Sequence, residues 1–68
     1  MPDISVADQI AELSARISET ELRIVQQQKR IENLLARGAD VADAENALAV
    51  LQKTLTDLEA REARLRKR

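Results

Sequence analysis

The sequence predicts an all-α chain folded as an antiparallel two-helix hairpin of coiled-coil type, which pairs with a second copy to make a four-helix bundle. Three observations predict it. Apolar residues recur in two separate heptad series, the only glycine among the 68 residues stands between them, and neither series has an interior glycine or proline.

The first helix is expected over about residues 4 to 37. Its start is signalled by Pro2 and Asp3 or, alternatively, by Ser5 with Asp8 three residues on as a weak capping box. Ile10, Ile17, Ile24 and Ile31 then repeat every seven residues, and Leu13, Thr20, Gln27 and Leu34 fall three further on. The turn is expected at 38 to 40. Gly38 suits a left-handed closing residue, Arg37 before it suits the negative end of the helix dipole, and Asp40 can accept from the first free amides of the next helix. Asp43 and Glu45 add negative charge to that first turn. The second helix is expected over about 41 to 66, with Val41, Leu48, Leu55 and Glu62 at one core position and Ala44, Leu51, Leu58 and Leu65 at the other. Ala, Leu, Glu, Gln, Lys and Arg fill the remainder, all strong helix formers. A stop and a start only about two residues apart favour adjacent antiparallel helices, hence one unit over 1–68.

Charge supports folding back at Gly38. The chain carries 11 basic and 12 acidic residues, but they alternate in blocks: residues 1 to 21 are acidic, 22 to 37 basic, 38 to 59 acidic and 60 to 68 basic. A hairpin lays the acidic beginning beside the basic end and the basic second block beside the acidic third. Each exposed pair is worth a few tenths to about 1 kcal/mol, so the pattern selects register more than it adds stability.

Two helices alone leave the flanks of their seam wet. A chain this short, without disulfide or metal, draws only about 3–5 kcal/mol from a single core. Leu22, Val25, Leu35 and Val50, with Ala47, lie outside the strict heptad positions and widen the apolar stripe. They are the candidate interface for a second copy or for a helix of a partner protein, although isolated apolar residues on a surface are ordinary. Thr20, Gln27 and Glu62 are polar intrusions at core positions. Thr20 and Gln27 are expected to turn their polar ends to the bundle edge, and Glu62 to lie near Arg16.

Composition excludes several chemistries. Without Cys or His there are no disulfides, thiol nucleophiles, imidazole bases or zinc-finger ligands, and without Phe, Trp or Tyr there is no aromatic platform for a base or sugar. Catalysis, a cofactor, a small-molecule substrate and a bound metal are therefore not expected, and Asp40, Asp43 and Glu45 read as helix caps. The basic segment Arg61, Arg64, Arg66, Lys67 and Arg68 offers an alternative, contact with nucleic-acid phosphates, but ordinary dipole compensation also accounts for it. No stretch approaches the roughly 18 apolar residues of a membrane span, and Leu65 is the only large apolar residue in the basic tail, so the expectation is a cytoplasmic protein without membrane contact.

The spacing Arg23-Ile24, Gln27, Ile31, Leu34, Gly38, Asp40, Ala44, Leu48, Leu51, Thr54-Leu55, Leu58 and Arg64-Leu65 resembles a group of small, mostly uncharacterised proteobacterial helical-hairpin proteins over roughly residues 23 to 65. Val41 stands where that group frequently has Thr, and the histidines often found in its second helix are missing. The resemblance implies the hairpin fold and no activity. The function expected from all this is a non-catalytic interaction and oligomerisation module, with nucleic-acid binding as the alternative.

Overall fold

The computed structural model describes residues 5–67, and they form two α-helices, α1 (Val6–Ala36) and α2 (Ala42–Arg66), packed along each other in a rod of 53 × 19 × 15 Å. The all-α hairpin expected from the heptads is the observed architecture. Of the two alternative N-terminal signals, Ser5 is the one observed: its Oγ accepts a hydrogen bond from the Asp8 backbone N–H at 3.0 Å, satisfying one of the four free amides of a helix start. Pro2 and Asp3 lie outside the described residues.

The turn is built as the glycine requires. Gly38 sits at φ 69, in the left-handed region that costs a side-chain-bearing residue about 1 kcal/mol or more. This conformation lets the Ala39 N–H reach back to Leu34 O at 2.9 Å and the Gly38 N–H to Leu35 O at 3.0 Å, a Schellman closure that satisfies two terminal carbonyls. Asp40 reaches forward, its Oδ1 accepting from the Ala42 N–H at 2.9 Å. The N-cap position itself is taken by Val41, whose side chain caps nothing, so Asp40 acts from one residue further out than a simple cap would.

All the expected core residues face the seam. Ile10, Leu13, Ile17, Ile24, Ile31 and Leu34 on α1, and Leu48, Leu51, Leu55 and Leu65 on α2, are half-buried, and Leu58 is buried. Beyond Leu58, only Ala44 and Thr20 are buried among the described residues. Fully burying a leucine or isoleucine is worth about 1.5–3 kcal/mol, and a seam covered on one side only realises part of that.

The polar intrusions behave differently from expectation. Gln27 does not turn to the edge: its Nε2 donates across the seam to Ala44 O at 2.9 Å. Thr20 is buried and keeps its hydroxyl within its own helix, donating to Arg16 O at 2.8 Å. Glu62 pairs with Ser14 rather than lying against Arg16; Ser14 Oγ donates to Glu62 Oε2 at 2.6 Å, while Arg16 is bound to Glu12 at 2.8 Å. In each case a polar group within reach is bonded, because a polar atom shielded from water costs free energy when it is left without a partner.

The expected pairing of charge blocks across the hairpin is also absent as direct contact. Among the described residues the ion pairs run along single helices at i,i+4: Glu12–Arg16, Glu19–Arg23, Lys53–Asp57 and Glu62–Arg66. Where α1 arginines meet charged residues of α2 in a shared groove, Arg16 finds Arg61 and Arg64, and Arg30 lies beside Ala47, Asp40 and Asp43 without forming an ion pair.

Candidate interaction surfaces

A hairpin of this kind has two edges, one on each side of the seam, and the grooves along the rod identify which residues lie on which. Leu13, Arg16, Arg61, Arg64 and Leu65 line one groove near the open end, and Arg23, Gln26, Arg30, Asn33, Arg37 and Leu51 line another toward the turn. Arg30 continues into a third groove, shared with Asp40, Asp43 and Ala47 beside the turn. These three grooves follow one edge. A fourth, lined by Gln28, Ile31, Glu32, Glu45, Leu48, Ala49 and Gln52, marks the other.

The first edge carries a column that regional charge counting conceals. Arg16, Arg23, Arg30 and Arg37 recur at seven-residue intervals, about 10.5 Å apart along α1. The residues alternating with them are Glu12, Glu19, Gln26 and Asn33. Arg16 and Arg23 are neutralised by their glutamates, at 2.8 and 2.6 Å, whereas Arg30 and Arg37 have amides in the equivalent places and no ion pair among the described residues. Arg61, Arg64 and Asp43 on α2 likewise have none. The second edge is acidic: Glu21 and Glu32 on α1 share it with Val25, Gln28 and Leu35, Glu45 and Glu59 on α2 alternate with Ala42, Ala49, Thr56 and Ala63, and its Arg66 is paired with Glu62. The repeat of arginines is legible in the sequence once the heptad frame is assigned; summing charge over blocks of about twenty residues averages it away.

The candidate interface residues are exposed but do not converge. Leu22, Val25, Leu35 and Val50 keep 57%, 48%, 60% and 65% of their surface in solvent. By heptad position Val25 and Leu35 belong to the acidic edge, Leu22 to the back of α1, and Val50 to the arginine edge. Of the basic C-terminal cluster, Arg61 and Arg64 share the open-end groove with Arg16, Arg66 is drawn to Glu62 at 3.6 Å, Lys67 caps α2, and Arg68 lies outside the described residues. Among the described residues no helix is long and apolar enough to cross a membrane, and no three carboxylates gather into a metal-binding cluster.

Comparisons with protein-family models, with curated proteins and with solved structures return no match, including none that relates the chain to the helical-hairpin group it resembles.

Proposed function

We propose that the chain is a non-catalytic interaction module that self-associates, forming a homodimeric four-helix bundle, and that its remaining exposed apolar residues serve a helix of a partner protein. The observation that supports this best is the seam itself. Its isoleucines and leucines are aligned over the whole rod, yet only Leu58 and Ala44 are buried apolar residues among the described residues, so one more helical layer would complete the burial that the pattern provides for. Leu22, Val25 and Leu35 are the candidate anchors for a further helix, by packing in a groove.

Sedimentation equilibrium over a wide concentration range tests the reading, together with thermal melts at each concentration. A dimer that dissociates on dilution, with a melting temperature that climbs with concentration, is the expected result. A monomer with a concentration-independent midpoint contradicts it.

A second reading has one observation in its favour: Arg16, Arg61 and Arg64 line one groove, with Glu12 as its sole acid, which suits a phosphodiester backbone. Binding of a labelled oligonucleotide that weakens steeply with salt, and that is lost in an Arg61→Ala/Arg64→Ala variant, is what this reading requires.

A further inference from the structure

We infer that the second copy docks along the arginine-bearing edge, turned end over end, so that the two turns lie at opposite ends of the bundle. The inference rests on the self-association proposed above and assigns its edge, orientation and register.

The arginine edge is complementary to its own reversed image. On α1, reversal about the point midway between Arg23 and Gln26 sets Glu12 against Arg37, Glu19 against Arg30, Arg16 against Asn33 and Arg23 against Gln26. On α1 every carboxylate meets a guanidinium, and every other guanidinium meets an amide. No like charges face each other. The equivalent stripe of α2, reversed about Gln52, sets Asp40 against Arg64, Asp43 against Arg61 and Val50 against Thr54. On α2 the exception is Asp57, already paired with Lys53, which meets Ala47.

Two helices with unrelated sequences thus place a symmetry axis independently, and the hairpin lets one axis serve both. Gln27 lies level with Leu51 and Ile31 with Leu48, since each pair lines a common groove, so the midpoint on α1 falls about 3 Å, roughly half a helical turn, from the midpoint on α2 along the rod. A two-fold axis perpendicular to the rod there gives an isologous dimer.

Three features favour this occupant and orientation. Arg30, Arg37, Asp43, Arg61 and Arg64, which have no ion pair among the described residues, are among the charges the second copy meets. The grooves on this edge have apolar floors, Leu13 with Leu65 and Leu34 with Leu51, which a second copy covers. Val50, the most exposed large apolar side chain among the described residues, comes within about one helical turn of its counterpart, whereas docking with both turns at one end would set it against Gln26 and Arg30. The opposite edge, with Glu21, Glu32, Glu45 and Glu59, meets a second copy of itself with carboxylates on both sides.

Charge exchange in the full chain tests this. Asp43→Arg puts arginine against Arg61 at two symmetric places in a homodimer, and Arg61→Asp puts aspartate against Asp43; mixed together, the two variants face each other with opposite charges. In sedimentation equilibrium each variant alone is expected to dimerise about tenfold or more weakly than the parent, and the equimolar mixture to regain a heterodimer, with circular dichroism verifying that each remains helical. Homodimers of undiminished affinity, or a mixture that stays monomeric, overturn the assignment. Spin labels on Ala39→Cys, a unique cysteine in this chain, are expected at a separation approaching the 53 Å rod length. A separation no larger than the 19 Å width overturns the end-over-end orientation. If the parent chain is monomeric at every concentration, self-association itself falls; if a dimer survives both charge variants but dissolves in Val25→Glu/Leu35→Glu, self-association stands and the arginine edge does not.

Discussion

Thr20 and Gln27 hold the same heptad position on α1, seven residues apart, and both bring a polar group into a mainly aliphatic seam. Thr20 solves the problem within its own helix, donating to the Arg16 carbonyl four residues back. Gln27 solves it across the seam, donating to Ala44 O on the facing helix. The first arrangement is indifferent to where α2 lies, and the second works only in the observed register. What differs is reach: a threonine hydroxyl stands too close to its backbone to bridge two helices, while the glutamine amide nitrogen is two bonds further out. One polar residue is therefore tolerated by the seam, and the other specifies it.

The apolar layer between them sets the scale against which both can be measured. Leu58 is the one large apolar side chain that is buried among the described residues. Leu58→Ala removes it from a site where neighbours on both helices are fixed, and about 2–4 kcal/mol of stability is expected to go with it. For a domain this small, that lowers the melting midpoint by about 10 °C or more. A loss below about 1 kcal/mol in chemical denaturation would mean that the seam collapses onto the gap.

Gln27→Ala is expected to cost about 1–2 kcal/mol, from the lost cross-seam hydrogen bond and the lost side-chain packing together. Gln27→Leu separates those contributions. It keeps the bulk, so stability is expected to return to within about 1 kcal/mol of the parent, but the register is then held by apolar contacts alone. Faster amide exchange at the start of α2 in Gln27→Leu, at similar global stability, is the signature of a residue that specifies position.

Much of this was legible in the heptads. They give the seam residues from Ile10 to Leu65, and the lone glycine places the turn, because each of those inferences depends on local periodicity or on a conformation that one residue type favours. Ser5 as the cap was present among two alternatives. The bonding of Thr20, Gln27 and Glu62 was not legible, since heptad letters say that a residue faces the seam but not which nearby oxygen or nitrogen its rotamer reaches. The four-arginine column was written in the sequence but hidden by counting charge in blocks. Its meaning depends on which side chains alternate with it and on what α2 sets opposite, and both need the frame of the folded hairpin.

The ion pairs outside the seam should be cheap to remove. Glu19→Gln abolishes the 2.6 Å contact with Arg23, in which both side chains are more than half exposed. An expected loss of about 0.3–0.5 kcal/mol, shrinking further in high salt, follows from how little an exposed i,i+4 pair contributes. Chemical denaturation at low and high ionic strength reads both. A salt-independent loss above about 1 kcal/mol would place Glu19 in a contact that the hairpin alone does not contain, as the end-over-end dimer would supply through Arg30.

Thr20→Val is expected to have the smallest effect and makes the sharpest test of the comparison. Valine keeps the β-branched shape, so the buried volume is nearly unchanged, and it replaces a hydroxyl by a methyl group at a site with 8% exposure. The Arg16 carbonyl loses one of two donors but keeps its place in the α1 backbone ladder, so no buried acceptor is orphaned. The lost hydrogen bond and the added apolar burial are each worth roughly 0.5–1 kcal/mol with opposite sign, so the net change should stay within about 0.5 kcal/mol. Register and oligomeric state should not move, because nothing on α2 depends on that hydroxyl. A loss of 2 kcal/mol or so would give Thr20 a partner on the facing helix and erase the distinction from Gln27; a neutral result leaves Gln27, together with the Ser14–Glu62 pair, to tie α1 to α2 in one register.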